Sequence, residues 1–462
     1  MNALTLAILA YVGLQLLVGM WVSRRVMTED DYIVGGRRLG YLLATFTIFA
    51  TWFGAETCIG AAGAIYTDGL AGASADPFGY TLCILFMGLF FAVRLWKLRL
   101  TTIADLFRRR YSPGVERFVV LLMVPTSLLW GAAQIRAFGQ VLSASSDLAV
   151  TFTITIAALV VIAYTMSGGL LADAYTDLVQ GISLTLGLLV LFIAVLLKHG
   201  TEPFAAIEPH RLGLFNDSTP ILGRVEAYAI PVLGSAFAAE LVSRIIATRS
   251  PQVAKRSSLV AAGAYLAIGL IPALLGLIGP RLIPNLADAE QVLPMIAQAH
   301  LPGFLYVVFA GALVSAILST VDSSLLCAAS MTSHNIIVPL RPRMSDAARV
   351  RAARIGVVVF GALAYVLALY AEGVYALVEE ASAFGSAGVF IVAILGLFTR
   401  FGGSSSAFAA LATGVFAWVI GAHVLHLPYP YVTSLAAAFV AYVIPAWFAR
   451  ERAGATIQGS AA

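Results

Sequence analysis

Phe49-Ala50-Thr51-Trp52-Phe53-Gly54-Ala55-Glu56-Thr57-Cys58-Ile59-Gly60 lies in the middle of an apolar stretch that runs from about 40 to 66. The hydrocarbon core of a bilayer is about 30 Å thick, and a helix needs roughly 20 mostly apolar residues to cross it. This stretch is long enough, yet a carboxylate, two threonines and two glycines crowd its centre. Close packing against a neighbouring helix would account for the small residues. It does not account for Glu56, because an ionisable group at membrane depth is costly and marks a functional position by default. Unwound backbone at that depth must face protein or a cavity, never lipid. The segment therefore reads as a membrane helix broken at its midpoint.

The rest of the chain places this helix in an all-α membrane protein. The 462 residues are 60% hydrophobic and 11% charged, with a mean hydropathy of +0.92, whereas soluble domains carry about 25% charged residues. Thirteen apolar stretches are long enough to span, at about 4–23, 40–66, 76–96, 115–142, 149–166, 175–197, 224–248, 257–282, 303–333, 351–371, 376–399, 404–424 and 430–449. They are too long and too evenly apolar for the strands of an outer-membrane barrel, which alternate in segments of about ten residues. One transmembrane domain over 1–450 and a short cytoplasmic tail over 451–462, its Gly/Ser/Ala-rich end disordered, are expected.

Basic residues orient the bundle. With the N-terminus outside, the inner loops collect twenty-two Lys and Arg, including Arg24, Arg25, Arg37, Arg38, Arg108, Arg109 and Arg110, against four outside (Lys198, Arg211, Arg224, Arg281). The net charge of +4 thus reflects orientation in a bacterial inner membrane, and nothing in it points to nucleic acid. No glycine loop followed by Lys-Ser/Thr is present to cradle ATP. The first stretch has its arginines after the apolar run, unlike a cleaved signal peptide. Cys58, Cys83 and Cys327 are scattered through spans and read as apolar filler. His423 and His426 read as a solvated surface pair. The outer connections near 198–223 and 283–302 are Pro-containing and read as capping loops with short interfacial helices.

Three further places are too polar for their depth. In the ninth stretch, Ser319, Thr320, Asp322, Ser323 and Ser324 fall within six residues. Isolated hydroxyls would merely bond their own backbone, but clustered ones offer neutral oxygens. Facing the carbonyls of a broken helix, they would supply about five ligands, the kind of oxygen cage a hard cation accepts. Between the fifth and sixth stretches, Gly168 and Gly169 make a tight inner turn, Asp173 fits a helix cap, and Asp177 and Gln180 share one helical face entering the membrane. The eleventh stretch opens with Glu379 and Glu380, of which Glu380 reads as an exposed cap and Glu379 as able to reach a cavity.

In these residues the chain resembles the sodium/solute symporter family, which includes sodium–glucose, proline, pantothenate and high-affinity choline transporters. The resemblance covers nearly the whole chain and is most specific in Gly-Gly-Leu-x-Ala-x-x-x-Thr-Asp-x-x-Gln at 168–180. It implies a LeuT-like fold, in which two five-helix repeats of opposite topology, here about 40–197 and 224–399, enclose the ligands at the midplane. It implies broken second and seventh spans, the latter at Pro231-Val232-Leu233-Gly234-Ser235. It further implies a sodium ion held by carbonyls of Ala50, Phe53 and Ala316 and hydroxyls of Ser319 and Thr320, with Asp177 on the exit path of the ion. Substrate contacts would come from Glu56, Thr57 and Glu379. The stretch Ala236-Phe237-Ala238-Ala239-Glu240 is blander than the polar or aromatic segment usual in the family, which argues against a sugar.

Trp52, Tyr80 and Trp130 match aromatic positions of the choline-transporter branch, and such rings hold an organic cation over their faces by about 0.5–2 kcal/mol each. The expected function is sodium-coupled symport, not enzymatic catalysis, of a small organic cation or zwitterion such as choline, betaine or an amino acid. Three alternatives remain open at this level. Arg136, if turned inward, would neutralise Glu56 or grip a carboxylate, and would favour a zwitterion or a monocarboxylate. Relay through Glu56 and Asp177 would make the carrier proton-driven. A chain that kept this fold without its signalling domain would be a sensor.

Overall fold

The computed structural model describes Ala10, Gly13 and residues 28–459, apart from Ser74, Asp147, 167–169 and Asp217. The first expected span apart from Ala10 and Gly13, the glycine turn at 168–169 and the last residues of the tail lie outside this set. Eight described helices are long and apolar enough to cross a bilayer unaided, and two bent pairs raise the number to ten. The second and fifth expected spans appear as shorter apolar helices, Tyr41–Ala50 and Val150–Ala163. The final helix runs Pro430–Gly459, past the expected end of its span.

Helix starts are written locally. Ser112, Ser250 and Ser345 each turn a hydroxyl back onto the backbone N–H three residues on, at 3.4, 3.2 and 3.4 Å. Two of them precede a proline, Pro113 or Pro251, whose missing N–H costs nothing at the first helical position. The ninth span, Gly303–Met331, is the most enclosed: 78% of its apolar window, taken with its short continuation, is buried, against 28% in the tenth span, Asp346–Tyr370. Large apolar side chains such as Leu159, Leu197, Ile221 and Phe304 stay exposed on the outer helices, where lipid tails are their solvent.

The second span is interrupted as expected. Tyr41–Ala50 ends at a turn over 51–54, and the chain resumes through a π-helical turn, Glu56–Ala61, into Ala62–Asp68. The seventh span also breaks, but slightly later than Pro231–Ser235. Ile230–Gly234 remains wound as a wide π turn, 235–238 leave the helix, and Ala239–Ile246 continues at 44°. The eleventh span is broken as well, which the sequence reading did not anticipate. Val374–Ala383 and Ser386–Phe398 meet at 42° through Phe384 and Gly385. Gly385 has φ +67, a left-handed conformation that side chains resist and glycine does not.

The seventh and eleventh breaks touch. A Cβ on Gly234 would collide with the carbonyl of Ser382, and Ser235 Oγ donates to Ser382 Oγ at 3.1 Å. Backbone that has left the helix must find partners inside the protein, and these interruptions find them in one another.

Candidate functional site

Where the second span unwinds, the Ala50 carbonyl faces Thr320 of the ninth span, whose Oγ1 donates to it at 3.1 Å and also lies 3.3 Å from the Ala316 carbonyl. The spans run close together here, and a Cβ on Gly54 would sit in van der Waals contact, 3.4 Å from both the Ala316 carbonyl and Thr320 Oγ1. Ser319 and Thr47 both donate to Asp177 of the sixth span, one to each carboxylate oxygen. Ser319, Thr320 and Asp177 are fully or almost fully buried. Two spans thus bring Ala50, Ala316, Ser319 and Thr320 together, and a third places Asp177 one hydrogen bond from Ser319. Phe53 closes the turn, its ring stacked on Phe49 at 4.5 Å and edge-on to Tyr265 at 5.4 Å. Carbonyl and hydroxyl oxygens with one adjacent carboxylate suit a hard cation and offer little to a soft one. Among the described residues no cluster of three His, Cys, Asp or Glu suits a transition metal, and the three cysteines are buried and unpaired.

Trp52, Tyr80 and Trp130 also meet. Ring centroids lie 5.5 Å apart for Trp52–Tyr80, 6.3 Å for Trp52–Trp130 and 6.1 Å for Tyr80–Trp130, and all three rings are buried. The Tyr80 hydroxyl bonds Ser382 Oγ at 2.9 Å, which ties the trio to the touching breaks of the seventh and eleventh spans. Beside them a narrow cleft of about 20 Å³ is lined by Trp130, Ser235, Phe237, Ser382 and Phe384, among others.

Glu56 and Thr57 fall in a separate polar knot with two residues that the sequence reading passed over, Asp76 and Tyr265. Glu379 sits on the exposed side of the eleventh span and makes no hydrogen bond to this knot among the described residues. Glu380 pairs with His423 at 3.3 Å, so His423 is partnered across helices and not with His426.

Three sequence expectations are corrected here. Arg136 does not neutralise Glu56. Its Nε lies 3.5 Å from Glu290 Oε2, and its Nη2 donates to the Glu372 carbonyl at 3.3 Å. Gln140, one turn on, bonds Asp288 at 2.8 Å and Glu290 at 2.9 Å, so this arginine helps to strap the 283–302 connection onto the fourth span. Asp173 is no simple cap. Fully buried, it forms an ion pair with Arg244 of the seventh span, and Ser323 bonds the same oxygen at 3.0 Å. The segment that seemed bland, 236–240, ends in Glu240, which accepts from Ser127 Oγ at 2.6 Å and stands four residues before the buried Arg244. Glu240 and Arg244, four apart within a span, were the available signal.

The profile of the sodium:solute symporter family matches residues 32–414. The chain belongs to that family. Relatives include the human high affinity choline transporter 1, 31% identical over 461 residues that cover 93% of this chain and 78% of the human one. The sodium/glucose cotransporter of Vibrio parahaemolyticus is 24% identical, covering 84% of this chain and 79% of that protein. The solved structure of a Na+-coupled sialic acid symporter in a substrate-bound, outward-open state superposes with a TM-score of 0.83 at 20% identity, over 97% of this chain and 98% of the other. That likeness speaks for the fold alone, and the fold is LeuT-like, as the resemblance implied. Membership makes the protein a sodium-coupled solute transporter and not an enzyme.

Proposed function

We propose that this symporter carries a small molecule with a quaternary ammonium group, choline or a close analogue, inward with sodium. The observation that supports this most is the meeting of Trp52, Tyr80 and Trp130 within 6.3 Å of one another, beside buried carboxylates. A desolvated organic cation gains from each ring face, and the negative knot at Glu56 completes the charge balance. The rings touch in this structure, so the ligand enters by parting them toward the adjoining cleft. The choline transporters among the relatives agree with this reading. Arg136 and Arg244 are committed to Glu290 and Asp173. This leaves neither free to grip a carboxylate and disfavours a monocarboxylate.

In this reading sodium occupies the oxygens of Ala50, Phe53, Ala316, Ser319 and Thr320, and leaves past Asp177. A single charge entering down 100 mV gains about 2.3 kcal/mol from the potential alone. Ion binding at the junction of the second and ninth spans stabilises the state open to the outside, and substrate then favours closure. The chain lies in the inner membrane, with its C-terminus in the cytoplasm, as its basic residues direct.

Uptake of labelled choline, betaine, proline and pyruvate into proteoliposomes, with and without an inward sodium gradient, tests the assignment. Choline should accumulate only with the gradient. Trp52→Leu and Trp130→Leu should each weaken it about two- to thirtyfold, the equivalent of about 0.5–2 kcal/mol per ring. Sodium-driven pyruvate uptake that ignores both substitutions would refute the proposal.

A further inference from the structure

Glu56, Thr57, Asp76 and Tyr265 converge from three elements: the π-helical turn of the second span, the head of the third and the middle of the eighth, Pro251–Leu282. All four are buried, none more than 2% exposed. Thr57 Oγ1 donates to Asp76 Oδ2 at 2.8 Å. The Tyr265 hydroxyl stands 3.2 Å from Glu56 Oε1, 3.2 Å from each Asp76 oxygen and 3.0 Å from Thr57 Oγ1. Glu56 Oε2 is buried with no hydrogen-bond partner at all.

The donors do not balance the acceptors. A hydroxyl carries one proton, so Thr57 and Tyr265 bring two protons to four carboxylate oxygens. Among the described residues no Lys, Arg or His pairs with either acid, and no backbone N–H is bonded to them. Two carboxylates sharing one dry enclosure cannot both stay ionised without a counter-charge, and removing each charge from water costs several kcal/mol unless it is paired. Something positive belongs between them.

We propose that these four side chains form a second alkali-cation site, in which sodium is held by the carboxylates of Glu56 and Asp76 and by the lone pairs of Thr57 Oγ1 and Tyr265 OH. The hydroxyls can donate to a carboxylate and still accept an ion on the opposite side, and oxygen-only ligation is what a hard cation takes. The charge sum links the site to the substrate. Two carboxylates and one sodium leave a net −1, which one organic cation neutralises. Glu56 lies four residues after Trp52, and Asp76 four before Tyr80, so the acids are close in the chain to two of the three aromatic residues. The second sodium would lower the local field enough for the acids to coexist, and would leave one charge for the ligand to meet. The inference rests on the sodium-symport reading.

The experiment counts sodium without needing a substrate. Binding of radioactive sodium to the full chain in lipid nanodiscs is measured at pH 7.5, with potassium as the inert counter-ion. Two ions per chain are expected for the wild type. Asp76→Asn and Ser319→Ala should each remove one, with the affected affinity falling at least tenfold, and the double variant should bind none. Tyr265→Phe, which keeps the ring and its packing, should weaken only the second ion, and serves where Asp76→Asn does not fold. One ion in the wild type, abolished by Ser319→Ala and untouched by Asp76→Asn and Tyr265→Phe, overturns this site and leaves the symport reading standing. One sodium plus a proton taken up on mild acidification, and lost in Asp76→Asn, overturns sodium as the occupant. No sodium bound to the wild type overturns the symport reading itself.

Discussion

Ser319→Ala is expected to raise the sodium concentration for half-maximal uptake roughly ten- to a hundredfold, since an oxygen interacting with a charge contributes about 1.5–3 kcal/mol. The side chain is buried on the most enclosed span and donates to Asp177, so its loss removes a prospective ion ligand and also the hydrogen bond that orients the acid. Thr320→Ala should show a smaller effect in the same direction, because Thr320 already divides its hydroxyl between the Ala50 and Ala316 carbonyls. Both substitutions subtract atoms from a packed helix and leave the helix backbone intact, so the folded protein should survive. The measurement is sodium-dependent solute uptake in proteoliposomes, repeated at saturating sodium. Recovery of the maximal rate there marks an affinity defect. A proton-driven carrier would scarcely respond to Ser319→Ala, and a flat sodium dependence in wild type and variant alike would remove the ion from these oxygens.

What was legible beforehand depended on whether the decisive residues are neighbours in the chain. The interruption at Thr51–Trp52–Phe53–Gly54 could be read because its glycine, its threonines and Glu56 lie within one turn or two of each other, against an apolar background. Ser319 and Thr320 could be read for the same reason. Asp76 could not. A lone aspartate before Pro77 at the head of a span looks like an ordinary helix start, and only the fold brings Thr57 and Tyr265 to it. The break in the eleventh span was also hidden, because the stretch Ser382-Ala383-Phe384-Gly385-Ser386 is small and apolar enough to continue as helix. What bends it is contact. The Ser382 carbonyl meets Gly234, and Gly385 takes a left-handed φ. Local composition states that a helix is weak, and tertiary packing decides where it yields.

Arg244 shows the same gap between composition and contact, and it carries the largest effect expected here. Its guanidinium is completely buried and pairs with Asp173, 71 residues earlier, while Ser323 of the ninth span bonds both partners. The group thereby joins the sixth, seventh and ninth spans beside the proposed ion path. Removing one member of a buried pair strands the other charge and costs about 3–5 kcal/mol, whereas replacing both by apolar or neutral groups is often close to neutral. Arg244→Ala should therefore lower the thermal unfolding midpoint of the protein in detergent sharply. Arg244→Lys should do so less, since it keeps the charge but loses the planar fork of donors that reaches Asp173, Ser323 and Ser243 together. The double variant Asp173→Asn, Arg244→Met should regain part of the loss, because it removes the charge of Asp173 together with that of its partner, while Asp177 and Asp322, which also face the guanidinium, remain. Intrinsic-fluorescence melting of the four proteins separates the two explanations. If Arg244→Ala and the double variant melt together, the stabilisation comes from the bulk of the arginine and not from its pairing with Asp173. If the double variant recovers stability but transports slowly, the pair serves the conformational cycle more than the resting fold, which its place at the junction of three spans would allow.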